Sequence, residues 1–297
     1  MSKRAVQGGV NGGPAQVATD YVNQMDYQIV KLDMGAEGAS YPVSVAANGG
    51  LPVSDQSDWS LEVAEGAFAK YHAVAKFGRN PDVDTGTEDI WSQGGTWVPP
   101  TAARVHAIVS SSTDDAPAGT GALTVSVNGL DGSYAEVTET VTLNGTSAVN
   151  TANSYVIIHR MIVLTAGSGG TNAGTITATA ATDATVTASI QAAKGQTQMA
   201  IYQVPAGHSA YLYSYGGSYN GGSNSSVTIE LYARPFGGAW NLKGSLGLMA
   251  TGSNFGARTY RFPLRFSEKT IIRLAATTDT VNCNVIGHFD MLLEDDD

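Results

Sequence analysis

Residues 198–215 read QMAIYQVPAGHSAYLYSY, and this stretch contains the pattern that decides the fold. Apolar and polar side chains alternate through Gln198–Val204 and again through Ser209–Tyr215, with Pro205-Ala206-Gly207 between the two runs. An alternation of period two predicts strands that bury one face, and a segment with Pro and Gly is typical of a turn. The stretch therefore predicts two strands joined by a tight turn.

The same alternation continues in both directions, from Trp59 to the end of the chain. Further strands are predicted at Ala67–Phe77, Val105–Ser111, Ala122–Val127, Ala135–Leu143, Tyr155–Thr165, Thr175–Ala180, Thr185–Ile190, Val227–Ala233, Trp240–Leu246, Ala257–Phe262, Thr270–Ala276 and Asn284–Leu292. Turns are predicted at Asn128-Gly129, Asp131-Gly132, Asn144-Gly145, Gly167–Gly170 and Gly216-Gly217. No segment carries the apolar period of a helix. Many short strands at regular spacing predict an all-β fold with two antiparallel β-sandwich or jelly-roll-like domains.

The sequence divides into three regions. Residues 1–58 are punctuated by Gly and Pro, which favours an extended N-terminal arm that lies on a neighbouring subunit. Residues 59–195 carry strands rich in Thr, Ser and Ala, whereas residues 196–297 carry more aromatic residues, above all tyrosine. We therefore predict a first sandwich over 59–195 and a second over 196–297, which ends in the acidic tail Glu294–Asp297.

The charge of the chain argues against several classes of function. Charged residues make up 14% of the 297 residues, against about 25% in a typical soluble domain, and the formal net charge is −10. Nucleic-acid binding needs a dense cationic surface, and the sequence has no Lys/Arg cluster beyond Lys3-Arg4. No run approaches the roughly 18 apolar residues of a membrane-spanning helix, so no membrane partner is expected. Thr, Ser, Ala and Gly fill the outward strand positions instead, which indicates a surface that contacts protein neighbours.

Cysteine content and the N-terminus bear on the cellular compartment. The single cysteine, Cys283, excludes an intramolecular disulfide. The first residues, MSKRAVQGGVNGGPAQ, lack the apolar core of a signal peptide, which predicts synthesis and assembly in a cytoplasm.

One acidic segment is a candidate metal site. Asp82, Asp84 and Glu88 surround Gly86, and hard cations such as calcium prefer several carboxylates around a tight turn. The spacing differs from an EF-hand loop because Gly86 arrives one residue early. An acidic turn held by its own hydrogen bonds is the main interpretation, a calcium site is one alternative, and a pair of carboxylates for glycoside hydrolysis is another. The five histidines show no metal-binding spacing, so we expect no other cofactor and no catalytic residues.

A group of tyrosines is a candidate contact surface. Tyr211, Tyr213 and Tyr215 alternate along one predicted strand and are therefore expected on one sheet face, and Tyr219 follows in the adjoining loop. Each ring combines apolar area with a polar tip. The pattern fits a core face, a subunit interface, or a contact with a glycan or receptor.

Several segments together resemble virion structural proteins of tailed bacteriophages. They are Phe77–Asp84, Glu88–Trp91, Ser110–Asp115, Thr138–Thr146 and Val204–Gly207, and the resemblance covers most of residues 27 to 293. It implies a non-enzymatic, β-rich particle component that forms homo-oligomers. On this basis we expect a virion protein at the neck or tail, or one that decorates the capsid. Its partners would be itself and other virion proteins of the capsid, portal or tail, with no nucleic acid. The alternative is an adhesin that is displayed on the particle and binds a receptor or carbohydrate on the host surface.

Overall fold

The computed structural model describes residues 59–220, 225–250, 252 and 254–296, and the backbone of three N-terminal strands. The chain divides into two units at residue 61. In the first unit, β1 (Lys3–Val6), β2 (Ala15–Val22) and β3 (Met25–Gln28) form an antiparallel sheet in that order. The rest of the predicted arm up to residue 58 lies outside the described residues, so its docking on a neighbouring subunit stays a prediction.

The second unit is built almost entirely of antiparallel strands, which confirms the predicted all-β class. The short helix α1 spans Trp59–Ala64. The strands are β4 (Tyr71–Val83), β5 (Glu88–Asp89), β6 (His106–Ser110), β7 (Ala122–Leu130), β8 (Glu136–Thr142), β9 (Val149–Asn150), β10 (Ile157–Ala166), β11 (Ile176–Ala180), β12 (Val186–Ile190), β13 (Ile201–Gln203), β14 (His208–Asn220), β15 (Ser226–Arg234), β16 (Asn241–Met249), β17 (Phe255–Phe266), β18 (Ile271–Thr278) and β19 (Cys283–Asp295). No helix in the described part of the chain is long and apolar enough to cross a membrane.

The first sandwich packs a sheet of order β12-β11-β6-β9 against a sheet of order β10-β7-β8. Its core forms because alternate residues of each strand face inward. β6 contributes Ile108 and β11 contributes Ile176, and both lie against Val125, Val127 and Met161 of the opposite sheet. All five side chains are fully buried.

The second sandwich packs a sheet of order β13-β18-β15-β16 against a sheet of order β17-β14-β19-β4, and β5 also pairs with β18. Leu231 and Leu274 of one sheet meet Leu212, Tyr215 and Phe289 of the other in its core. β14 and β19 are both 13 residues long and pair along nearly their whole length. β4, which pairs with β19, is also 13 residues long, so three strands of this sheet are of equal length.

Two of the strands that precede residue 195 belong to the second sandwich and not to the first. β4 pairs with β19, and β5 pairs with β18, so residues 71–89 belong to the second sandwich although they precede the first in sequence. The physical reason is register: ten residues of β4, from Tyr71 to Asn80, follow β19 without interruption from Glu294 to Val285. The first sandwich is therefore inserted between the strands of the second.

A tryptophan-rich cluster joins the two sandwiches. Trp91 and Trp97 pack with Leu130 and Ile157 of the first sandwich and with Ile201 of the second. Beside this cluster Asp89 accepts hydrogen bonds from the Trp97 backbone N–H (2.7 Å) and from the Arg273 guanidinium (2.8 Å). The Asp89 carboxylate is buried, so removing Arg273 would leave an uncompensated charge at the junction of the two sandwiches.

Candidate functional site

Two long strands, β16 and β17, are exposed along most of their length. β16 pairs only with β15, and β17 pairs only with β14, among the strands that the structure describes. Each is therefore the edge of its sheet, with one row of backbone N–H and C=O groups directed outward. We call β16 and β17 together the edge surface. Long exposed edges pair readily with other chains unless something covers them.

Large apolar side chains project from the edge surface. Phe262 is 80% exposed, Met249 60% and Leu242 52%. The two strands also contact each other: a Cβ on Gly256 of β17 would lie 2.9 Å from the Leu248 side chain of β16. The edges therefore close one side of the second sandwich and present a joint surface. Leu242 and Met249 lie at opposite ends of β16, so the exposed apolar side chains are spread along the edge surface, where a second chain that paired with it would cover them.

Phe262 lies in a bulge of β17. In the pairing of β14 with β17, Leu212 is opposite Leu264 and Ser214 is opposite Thr259, so residues 260–263 lie opposite Tyr213 alone. Bulges bend a strand, disrupt its pairing and redirect side chains. Pro263 favours this geometry because it has no N–H to donate to a ladder. The bulge explains why Phe262 points away from the core.

The edge surface is cationic. β16 carries Lys243, and β17 carries Arg258, Arg261 and Arg265, whereas neither strand has an acidic residue. The Arg258 guanidinium lies 5.1 Å from the centre of the Tyr260 ring. These four basic residues are spread over two strands, and they form a cluster only because the two strands are neighbours in the sandwich. The period-two alternation predicted the two strands, but no local run of Lys and Arg indicated a cationic surface.

Tyr211, Tyr213 and Tyr215 do not share one face, so that prediction is wrong, and Tyr219 lies in β14 and not in the adjoining loop. Tyr215 is fully buried and Tyr219 nearly so, and both belong to the core of the second sandwich. Tyr211 is half-buried, and Tyr213 is 38% exposed. The register shift between Leu212 and Ser214 inverts the alternation, so residues before and after the bulge with the same parity face opposite sides. Tyr213 lies at the bulge and joins the edge surface. A contact role for Tyr211 and Tyr213 stays a prediction.

The acidic segment forms a hydrogen-bonded turn. Glu88 accepts hydrogen bonds from the Asn80 side chain (2.9 Å) and from the backbone N–H groups of Gly95 (2.8 Å) and Asp84 (3.1 Å). Asp84 accepts one from the Asn282 backbone N–H, 3.1 Å away. Asp82, Asp84 and Glu88 are not brought together as a three-ligand group within the described residues. The calcium alternative stays a prediction.

A cavity of about 300 Å³ lies between the two sandwiches. Lys76 of β4 lines it together with Asn128, Glu136, Arg160 and Tyr202. Burial, reinforced by the neighbouring Arg160 charge, lowers the pKa of Lys76 to about 7. Its Nζ donates a hydrogen bond to the backbone carbonyl of His159, 2.6 Å away. The site holds a lysine amine that is half neutral near pH 7. The sequence gives no sign of it, because Lys76 lies in an ordinary alternating strand.

The comparisons with known proteins are sparse. No protein-family model matches the chain, and no curated protein matches it. Among solved structures, the chain is similar to the infectious bursal disease virus VP2 subviral particle, at 11% identity over 76% of each chain with a TM-score of 0.18. It is also similar to the Gt strain of that virus, at 12% identity over 77% of this chain and 78% of that one, again with a TM-score of 0.18. At this TM-score the similarity supports no argument about fold or function.

Proposed function

We propose that the protein is a non-enzymatic structural component of a virus particle that self-associates through the edge surface. The observation that carries the proposal is the exposure of Phe262, Met249 and Leu242 on two adjoining edge strands. Phe262, which is 80% exposed on an unpaired edge, contributes little to the stability of a single chain, and such edges promote aggregation. An assembly that covers the edge removes this liability.

The charges favour a second copy of the chain as the occupant. The edge surface carries Lys243, Arg258, Arg261 and Arg265 without an acidic residue, whereas the whole chain has a net charge of −10. The surface outside β16 and β17 is therefore more acidic than the chain as a whole. A cationic edge and an acidic remainder attract each other between copies, which steers association and favours a defined arrangement.

The location in the particle is the finer part of the proposal. The sequence segments that resemble virion proteins of tailed bacteriophages support a place at the neck or tail, or as a decoration of the capsid. Other virion proteins of the capsid, portal or tail would then be the further partners. Mass spectrometry of purified particles, followed by labelling of this chain in electron micrographs, tests that location.

The replacement Phe262→Ser is expected to weaken self-association about tenfold to a hundredfold. Burying an aromatic side chain at an interface contributes roughly 1.5–3 kcal/mol. The change leaves the fold intact because Phe262 is not part of the core. Sedimentation velocity across a concentration series measures the shift of the monomer–oligomer equilibrium.

The matched control is Leu164→Ser, which removes a side chain that is 52% exposed on β10 of the first sandwich. This variant should associate like the wild type. A wild-type chain that stays monomeric at every concentration contradicts the proposal. So does an equal loss of association in both variants, because that result would not single out the edge surface.

A second candidate function is an adhesin, and the exposed ring of Tyr213 at the bulge is the observation that favours it. Aromatic rings stack on sugar faces, and this one stands beside Phe262 on the strand opposite. Binding of the protein to a glycan array that is lost in Tyr213→Ala, with association unchanged, would support the adhesin over self-assembly at this surface.

A further inference from the structure

Three side chains from distant parts of the sequence meet at one end of the long sheet of the second sandwich. His72 lies on β4, His208 begins β14, and Asp295 ends β19. His208 is directly opposite Asp295 in the β14–β19 pairing. His72 is opposite Leu293, two residues before Asp295, so it lies on the same face. The pairing of three strands therefore places both imidazoles beside one carboxylate.

The distances in this cluster fit a bound cation. His208 Nε2 is 3.1 Å and His72 Nε2 is 3.3 Å from the same oxygen, Asp295 Oδ1. The three ligand atoms all lie within 4.8 Å of one another. Two ligands that are each about 2.0 Å from a zinc ion at tetrahedral angles are about 3.3 Å apart. The two His–Asp distances are therefore those of metal ligands, and all three ligand atoms are close enough to reach one ion.

The hydrogen bonding of His208 orients its Nε2 towards Asp295. Its Nδ1 is 2.9 Å from the backbone carbonyl of Ala206, and a carbonyl oxygen can only accept, so Nδ1 carries the proton. In the neutral ring Nε2 then presents a lone pair to the carboxylate oxygen of Asp295. Either a proton on Nε2 or a metal ion between the two atoms makes this 3.1 Å approach favourable, so this position accepts a cation. Fixing a histidine through Nδ1 to a carbonyl is also how metal-binding histidines are commonly oriented.

We propose that His72, His208 and Asp295 bind a divalent transition-metal ion of the zinc class. Two imidazole nitrogens and one carboxylate oxygen suit zinc, cobalt(II) or nickel(II), and they do not suit calcium, which takes six to eight oxygens. His72 and Asp295 are about half exposed, so the ion has access from solvent and keeps at least one position for water. Binding would tie the last residues of β19 to β4 and β14.

The test uses the full chain, freed of metal with a chelator and then desalted. Titration calorimetry with zinc chloride is expected to give one ion per chain, and the Tm should rise with zinc concentration because the ion binds only the folded site. Cobalt(II) provides a second probe, since its visible absorption reports tetrahedral coordination. His208→Ala and Asp295→Asn should each lower zinc affinity at least about tenfold, since losing even a group that only orients a ligand lowers it that much.

His288→Ala is the matched control, because His288 lies on the same strand outside the cluster. It should bind zinc as the wild type does. His72→Ala repeats the test at a side chain that is half exposed and therefore not needed for folding. The absence of both binding heat and a Tm shift overturns the proposal, because the cluster is then a His–Asp ion pair. Equal zinc binding in His208→Ala, Asp295→Asn and the wild type overturns it as well.

Discussion

The replacement Asp115→Ala is expected to lower the free energy of unfolding by about 3 to 5 kcal/mol, since a buried group whose partner is removed costs about 1–3 kcal/mol. Asp115 is fully buried in the connection between β6 and β7. Its carboxylate accepts hydrogen bonds from the backbone N–H groups of Ala122 (2.7 Å), Ala173 (2.8 Å) and Gly174 (2.9 Å). It also accepts one from the hydroxyl of Ser110.

These four donors come from different parts of the first sandwich. Ser110 ends β6, Ala122 begins β7 in the opposite sheet, and Gly174 leads into β11. One carboxylate therefore connects the ends of three strands in both sheets. Gly121 has room only for hydrogen beside it, because a Cβ there would lie 2.2 Å from Asp115 Oδ1. Alanine at position 115 leaves three buried N–H groups without their acceptor.

The loss of stability caused by Asp115→Ala should become smaller in acid. Burial disfavours the charged form of Asp115, but the hydrogen bonds from Ser110 and the three N–H groups outweigh burial and lower the pKa of this carboxyl below 3.8. A pKa that is lower in the folded state stabilises the fold above the unfolded value, and that stability is lost as the pH falls through the folded value. The difference between wild type and variant is therefore full at neutral pH and shrinks below about pH 3.8.

Urea unfolding at several pH values measures this difference. Asp114→Ala is the control, since Asp114 is the exposed neighbour and its carboxylate is not part of the network. We expect a change within about 0.5 kcal/mol for that variant. Asp115→Asn should fall in between because it keeps one acceptor oxygen. An Asp115→Ala variant as stable as the Asp114→Ala variant would show that the loops are held by other contacts.

Local strand pattern was sufficient to predict the fold class and the position of most long strands. The predicted strand Val227–Ala233 is β15 with one residue added at each end, and its burial alternates without error. Period two works here because each face meets one environment, core on one side and solvent on the other. The same reasoning predicted the turn at Pro205–Gly207, where the chain passes from β13 to β14 in the opposite sheet.

Two predicted turns are strand interiors. Asn128-Gly129 lies in β7, and Gly216-Gly217 lies in β14. In both places the glycine allows a close approach of backbones: a Cβ on Gly129 would lie 2.1 Å from the Ile157 carbonyl oxygen, and one on Gly217 would lie 2.3 Å from that of Ile286. A glycine that marks a turn and a glycine that marks a crowded strand look the same in one sequence.

The candidate sites depended on information that no local pattern contains. The bulge at Tyr213 changed which tyrosines face solvent, and a bulge is set by the partner strand as much as by its own residues. The pairing of β4 with β19 brought His72 to Asp295 across more than two hundred residues of sequence. The cationic edge surface required β16 and β17 to be neighbours. Strand order and register are properties of the whole chain, so the sequence showed the strands but not these groupings.

The buried lysine of the cavity provides the second large effect. Lys76 is 4% exposed, and within the described part of the chain no ion pair joins it to a carboxylate; its Nζ donates to the carbonyl of His159. The neighbouring Arg160 charge disfavours the protonated amine of Lys76. Glu136 also lines the cavity, but its carboxylate interacts with Tyr202. Burial also lowers the pKa of His159 well below its usual value, with Lys76 and Arg160 acting in the same direction. The protonated amine is therefore a destabilising element of the junction.

Lys76→Met is expected to stabilise the protein at pH 7 by about 1 to 4 kcal/mol, the range seen when buried charged groups are replaced by apolar ones. The pH dependence of the stability difference shows whether the charge of Lys76 is its cause. The pKa of Lys76 falls from 10.5 in the unfolded chain to about 7 in the folded one, so the unfolded state binds more protons between these values. The wild type should therefore gain stability as the pH rises from 7 towards 10.5, by up to about 5 kcal/mol from this group.

Chemical unfolding of wild type and Lys76→Met from pH 7 to 10.5 tests this expectation, and the comparison cancels the other titrating groups. The advantage of the variant should be largest at pH 7 and should reverse before pH 10.5, because the wild type gains stability as Lys76 loses its proton while the variant has no such group. Lys194→Met, which removes an exposed lysine, should follow the wild type throughout. A Lys76→Met protein that is less stable than the wild type at pH 7 would mean that an unrecognised anion or water network compensates the charge. A difference that is constant with pH would mean that Lys76 contributes through packing alone.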